Sequence, residues 1–558
     1  MVRATFAGFS TALSALQANQ KRLDIVGQNL SNMNTVGYTR QQLETSSLNY
    51  TNPVAHYMNG SEIAVGFGVH MDKVSQIRDP YLDVQYRTQM KKAGYAESMQ
   101  NSLDVLARAF DESNIDGVRT AIDDIQVILT DMQDLDKFHD PVYETNLQSR
   151  MSALTNLIND AARQVEAAEK EEFAKLDGKG TSENGAVETV NEILQQIGDL
   201  NQQIKQNQIL GQQSLELMDE RNNLLDTLSS YIPIEVTYFK DSAHDGKNPD
   251  GTDAPNEIYE YDRYGNIIKK KDWPDDLKVE LLYTDTDGSP KRLTLVNGTE
   301  GTRGENYGSL SIAAGSQDDP LNAMVSFKAA ESAGGADVSV SATKAQLSGG
   351  SIQASLDMLG KKGDGSLING TKTIDDVRGY QYYMNRLNTL AETFAKTINN
   401  INTNNNTGGG GILLANKQNN DPDDINALTI GISKDWIEGT AHIDNTRDNP
   451  TDTILDMLEA MRTTYPKELD NKSFADYMNN ISTVLANDSS FNTNTLKTDV
   501  TVLNGIQNSR DSVSGVSLDE EASNMMAYVS AYNAASRLMT ALDEALNTLI
   551  NNTGLVGR

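Results

Sequence analysis

A stripe of apolar residues at each end of this 558-residue chain restricts its fold more than any other feature. Near the C-terminus, Tyr528, Tyr532, Ala535, Met539, Leu542, Leu546 and Leu549 recur at alternating spacings of four and three. That is the pattern of a helix burying a narrow seam against another helix. Near the N-terminus, Phe6, Phe9, Leu13, Leu16, Leu23 and Leu30 keep the same register, with Gln20 and Gly27 at the two remaining seam positions. Helices over roughly 4–32 and 517–550 would be about 42 and 50 Å long. Neither can bury its own seam. Each large side chain taken out of water is worth about 1.5–3 kcal/mol, whereas an isolated amphipathic helix is marginal. The two ends are therefore expected to pair with each other, to fray in the free monomer, and to become ordered when subunits stack.

Between the ends the patterning changes twice. Helical seams dominate residues 80 to 232: Met99, Leu103, Leu106 and Phe110; Val118, Ile122, Ile125 and Leu129; a segment starting near Pro141; and Val190 to Ile204, interrupted at Gly211 and resumed up to Pro233. From IPIEVTYF onward the period becomes two, and KVELLYT and KRLTLV flank DTDGSP, a hairpin signal. Helical pattern returns at Tyr380, Tyr383, Leu387, Leu390, Phe394, Ile398 and Ile401. Residues 406–450 read either as a small β unit or as a long loop. Two shorter helices, around 451–463 and 473–487, precede the terminal seam. The expected fold class is mainly α with a β-rich insertion, nested and multidomain. Residues 1–50 with 510–558 form a terminal helical core like a coiled coil, 51–232 with 346–509 a long helical bundle acting as a shell, and 233–345 an inserted β-rich domain.

The front stripe runs into LDIVGQNLSNMNTVGYTRQQ, Leu23 to Gln42, where Gly37 can take a left-handed conformation and Asn32 and Asn34 can bond their own backbone around the bend. An extended arm follows, through Val69 and Val74. This stretch, with Asn29, Asn32, Asn34, Thr35, Gly37 and Tyr38, resembles the N-terminal signature of the rod, hook and hook-associated proteins of the bacterial flagellum. Three further stretches, GFGVHMDKVSQIRDPYLDVQYR, LMDERNNLLDTLSSYI and GVSLDEEASNM, point within that family to the hook-associated members at the junction of hook and filament. The resemblance covers residues 1 to about 110, 190–235, 345–405 and 505–550, and is weak between 236 and 340.

The resemblance implies a structural subunit of a tube, with β domains facing outward. Its partners would be copies of itself, the hook protein, the third hook-associated protein, and an export chaperone shielding the C-terminal helix at Tyr528, Tyr532, Met539 and Leu542. It also implies an extracellular place, reached through the flagellar export channel without a cleaved signal peptide. By its own residues the chain would read as cytoplasmic, with neither a secretory signal nor a membrane span. A hook or distal-rod subunit is the alternative, and a secreted adhesin or enzyme with its activity in residues 236–340 is a more distant one.

Chemistry is sparse. The balance of 47 Lys plus Arg against 78 Asp plus Glu gives a net charge of -31, which argues against nucleic acid. There is no cysteine, hence no disulfide, thiolate site or cysteine nucleophile. The five histidines are too dispersed for a helix-borne metal pair, and the Asp285–Gly288 turn lacks the acids of a calcium loop. Gly66 and Gly68, like Gly360 to Gly365, lack the setting of a phosphate loop and read as turns or close backbone contacts. No catalytic, cofactor or metal site is expected. Asp519, Glu520 and Glu521 suit the positive end of the terminal helix, with an intersubunit contact as the other reading.

Overall fold

The computed structural model describes residues 2–47, 68–110, 112–179, 184–210, 212–240, 259–261, 267–270, 275–298, 307–330, 335–341, 344–360, 377–404, 409–463 and 466–552. The chain opens with helix α1 (Val2–Ser31) and the antiparallel pair β1 (Gln41–Ser47) and β2 (Val69–Gln76). The shell helices follow: α2 (Pro80–Ala109), α3 (Glu112–Asp131), the one-turn α4 (Leu135–Phe138), α5 (Pro141–Asp177), α6 (Ala186–Ile209) and α7 (Leu215–Tyr231). The β insertion carries β3 (Ile234–Lys240), β4 (Tyr259–Tyr261), β5 (Ile267–Lys270), β6 (Asp275–Thr284), β7 (Pro290–Asn297), β8 (Ser309–Ser316), β9 (Asp319–Lys328), β10 (Val338–Val340) and β11 (Gln346–Leu347). Then come α8 (Ser351–Leu359), α9 (Tyr380–Asn402), β12 (Leu414–Asn416), β13 (Ile430–Ile432), α10 (Lys434–Ile437), α11 (Asp452–Arg462), α12 (Phe474–Ser514) and α13 (Leu518–Asn552).

Local chemistry sets these limits. Asp140 accepts the Val142 N–H ahead of Pro141, and Gly178, at φ +74°, closes the far end of α5. Ser473 caps α12 by accepting the Asp476 N–H, while the Asp476 carboxylate accepts the Ser473 hydroxyl. In the β6–β7 hairpin the turn closes through Gly288 N–H to Asp285 O at 2.9 Å, with Gly288 at φ +80°. Insertion sheets are antiparallel, β11-β6-β3 with β7 on β6, and β10-β9-β8.

A continuous apolar core holds the shell and the insertion together. It runs from Met99 on α2 through Leu154, Ile197 and Leu225 to Leu277, Val279 and Phe327 in the strands, and on to Phe394 and Leu485. Residues 409–450 form a small packed unit. Its strands β12 and β13 pair antiparallel, and buried Asn399 accepts the N–H groups of Leu413 and Leu414, each at 3.0 Å.

Two expectations need correction. The helix expected at 473–487 continues unbroken to Ser514. Its second half is rich in Asn, Thr and Ser and shows no apolar period, because it lies on α2 through polar contacts: Asn492 donates to Ala96 O at 2.8 Å and Gln89 to Asp499 Oδ1 at 2.7 Å. The pairing of the two ends is also already made within one chain. Gly8 lies against Leu542, and the Arg22 guanidinium sits 5.5 Å from the Tyr528 ring centre, so α1 and α13 run antiparallel.

Candidate functional site

The terminal hairpin brings together the residues singled out at both ends. On α13, Tyr528, Met539, Leu542 and Leu546 are half-buried, Ala535 is buried, and Tyr532 and Leu549 are exposed at the edge of the same face. On α1 the within-chain seam is displaced from the leucine stripe. Ala12, Ala18, Ile25, Val26 and Asn29 are buried, whereas Phe9, Leu16, Leu23 and Leu30 are half-buried and Leu13 is 48% exposed. Small side chains let the helix approach its neighbours closely, so the bulkier leucines turn toward open space. The side chain of Phe6 lies outside the described residues, as does Gly66. Beside this seam a groove of about 690 Å³ opens between α1, β1 and α13, lined by Arg22, Val26, Leu43, Asn524 and Tyr528 among others.

Where α1 ends, the backbone turns around Asn29. Its amide is buried, donates to Gln41 O at 3.0 Å, and accepts both Gln41 N–H and the Tyr38 hydroxyl at 3.0 Å. Asn32 donates to Gln28 O at 3.0 Å and accepts the Thr35 hydroxyl, while Asn34 is exposed. Gly37 takes φ +78°, and a Cβ there would stand 2.1 Å from the Asn223 side chain on α7. Glycine is thus required on two counts, conformation and space. Burial, reinforced by the carboxylates of Glu216, Asp219 and Glu521, pushes the Tyr38 phenol up to about 12.

The next two residues join this turn to the rest of the molecule. Thr39 donates its N–H and hydroxyl to Asp219 at 3.0 and 2.6 Å. Arg40 grips Glu520 with two hydrogen bonds of 2.8 and 2.9 Å and reaches the buried Glu521 at 2.9 Å, and its N–H donates to Ser514 O at 2.8 Å. The acids heading α13 therefore have a specific cationic partner in the same chain, in addition to their place at the helix start.

Below that clasp lies an alternating chain of charges. Arg87 pairs with Asp226 at 2.8 Å, and Asp226 with Arg510 at 2.8 Å. Arg510 continues to Asp83 at 3.2 Å, Asp83 to Arg78 at 3.1 Å, and Arg78 to Asp219 at 3.6 Å. Three arginines and three aspartates compensate one another, which is the condition for holding charge in a poorly hydrated place. Burial raises the Asp219 carboxyl above its usual range, against the opposing pull of the Thr39 bonds and Arg78. Thr39, Arg78, Asp83, Arg87, Asp219, Asp226, Glu520 and Glu521 lie in stretches singled out from the sequence, although nothing marks Thr39 or Asp83 within them, and Arg510 lies outside them all. Among the described residues, no cluster of three metal-ligating side chains occurs and no helix is long and apolar enough to cross a membrane.

Comparison with known proteins matches the same segments. Residues 103–247 fit the model of the flagellar hook-associated protein FlgK helical domain, residues 9–39 that of the flagella basal body rod protein, and residues 507–552 that of the flagellar basal body rod FlgEFG protein C-terminal region. Flagellar hook-associated protein 1 of Bacillus subtilis is 27% identical over 581 aligned residues, covering 99% of either chain. Its Salmonella typhimurium namesake is 25% identical over 40% of this chain and 38% of its own, and that of Escherichia coli 26% identical over 41% and 39%. Among solved structures, the flagellar hook junction protein FlgK of Burkholderia pseudomallei aligns at 18% identity and a TM-score of 0.38, covering 60% of this chain and 46% of that one.

Proposed function

We infer that this chain is a member of the flagellar hook-associated protein 1 family and serves as the structural adaptor that connects hook to filament in the bacterial flagellum. The similarity to a hook-associated protein 1 along the whole of both chains carries that reading. The matches at 9–39 and 507–552 relate the paired ends to axial subunits, and the match at 103–247 separates the chain from a simple rod or hook subunit.

The chain works without catalysis. Copies of it pack side by side into a tubular layer, with the hook protein below and the third hook-associated protein above. Support comes from the large apolar side chains that α1 and α13 leave exposed, among them Leu13, Met526, Val529, Leu538 and Ile550. Two helices alone bury too little, and a ring of neighbours would cover such a surface. An export chaperone holds α13 before secretion, and the assembled protein is extracellular. The proposed division is a terminal core of 1–50 with 510–558, a shell of 51–232 with 346–509, and the 233–345 insertion on the outside.

Deleting the encoding gene and imaging the cells tests the assignment. Hooks without filaments, with flagellin shed into the medium, are expected. Cells lacking hooks would move the subunit down to rod or hook, and normal flagella would overturn the axial role.

A further inference from the structure

The sheets of this chain are small, so most of their strands are outermost. Among the described residues β1 and β2 pair with each other alone, β12 and β13 do the same, and β8 is the last strand of β10-β9-β8. In an antiparallel pair every second residue points its N–H and C=O away from its partner, and on an outermost strand those groups have no further strand to bond. At four such places an asparagine carried by a helix supplies the bonds. Asn29 of α1 donates to Gln41 O and accepts Gln41 N–H on β1, both at 3.0 Å. Asn191 of α6 treats Leu310 on β8 in the same way, donating to its O at 2.9 Å and accepting its N–H at 2.6 Å. Asn399 of α9 does so for Leu414 on β12, at 2.7 and 3.0 Å. Asn159 of α5 donates to Ile430 O on β13 at 3.1 Å, so the β12–β13 pair is closed along both sides.

One carboxamide carries the donor and the acceptor that the facing residue of a next strand would present. Helix formation does not account for these residues. Asn159, Asn191 and Asn399 stand in helix interiors, where asparagine is disfavoured because its side chain competes for the backbone. Each helix also lies along the strand that it bonds: α1 on β1, α6 on β8, α9 on β12 and α5 on β13.

We propose that these four asparagines are edge caps, which stand in for a missing strand and keep β1, β8, β12 and β13 from pairing with a strand of another copy of the chain. An open edge is a template for such pairing, and covering it with a helix is one way to close it. The carboxamide does two things at once: it satisfies the outward rung, and it pins the helix over the rungs beside it. In a crowd of copies the closed edges leave lateral contact to the helices.

The test compares full-length Asn191→Ala and Asn399→Ala with Asn492→Ala. The last removes a buried asparagine that also makes two bonds, to Ala96 O and to the Gln100 side chain, but its partners lie on a helix and no strand edge is uncovered. Intermolecular β structure is followed by its infrared band and association by sedimentation velocity. Both edge variants are expected to gain the band at least about tenfold faster than Asn492→Ala, the increase in opening that two lost hydrogen bonds produce. Edge variants that stay free of the band overturn the proposal. So does equal growth in Asn492→Ala, which would mean general loosening. If the edge variants do not fold, amide exchange of the unsubstituted chain decides: Leu310 and Leu414 should be protected like amides bonded within a ladder, and exchange at the rate of open-edge amides rejects the caps.

Discussion

Replacing Asn29 by alanine should open the turn between α1 and β1 while leaving the shell intact. Its side chain is 1% exposed and makes three hydrogen bonds: one to the Gln41 carbonyl, one from the Gln41 N–H and one from the Tyr38 hydroxyl, each at 3.0 Å. At roughly 0.5–1.5 kcal/mol net for each bond, and more wherever the orphaned partner stays dry, the loss totals about 2–4 kcal/mol. Since every 1.4 kcal/mol is a factor of ten, local opening should rise roughly 30- to 1,000-fold. Amide hydrogen exchange of the peptide containing residues 38–43 measures this directly, with α9 amides as the unaffected internal reference. Tyr38→Phe removes one of the three bonds and should raise exchange about tenfold at most. If exchange at Gln41 in Asn29→Ala stays within about threefold of the unsubstituted chain, the bond count is wrong and the turn is held by something else.

Three other outcomes follow from the same contacts. Leu542→Asp puts a charge against Gly8 and α1; it should abolish incorporation into flagella while circular dichroism and denaturation of the shell remain near normal, and normal assembly would refute the seam. The Tyr38 phenol, raised to about 12, contributes stability that is complete below about 10 and lost as pH rises toward about 12. The ultraviolet titration difference between the chain and Tyr38→Phe should therefore show one phenol ionising near 12 rather than 10. Glu169 on α5 is buried with Oε1 unpartnered, and burial first, then Glu166, pushes its carboxyl up to about 7. A raised carboxyl favours folding at low pH and loses that contribution as pH climbs past 7, so Glu169→Gln should gain up to about 3 kcal/mol over the parent at pH 8 and nothing near pH 4, read from denaturant midpoints.

Features carried by local pattern were legible in the sequence. The 3–4 stripe of α13, the Asp-Gly hairpin between β6 and β7, Pro141 at the head of α5, and the glycine of the bend at Gly37 each need only near neighbours to declare themselves. The displaced seam of α1 was not legible. Hydrophobicity selects Leu13, Leu16 and Leu23, whereas close approach selects Ala12, Ala18 and Val26, and which wins depends on what packs alongside. The second half of α12 hid for a similar reason, since Asn492 and Asp499 look like loop residues until α2 supplies their partners. The charge chain is the extreme case: Asp83, Asp226 and Arg510 have no period in common, and nothing along the chain connects them before it is folded.

Thr39 meets Asp219 across 180 residues of sequence, and Arg40 meets Glu520 across 480. The first needs only α7, whereas the second must wait for the two ends of the chain to find each other, and neither can nucleate anything by itself. A polypeptide emerging N-terminus first can fold the shell as soon as residue 485 or so is free, yet the clasp of Arg40 on Glu520 and Glu521 cannot close until the last helix appears. Arrival of α13 is thereby read out as closure of the clasp, and a copy lacking it would present a folded body whose first helix has lost its partner.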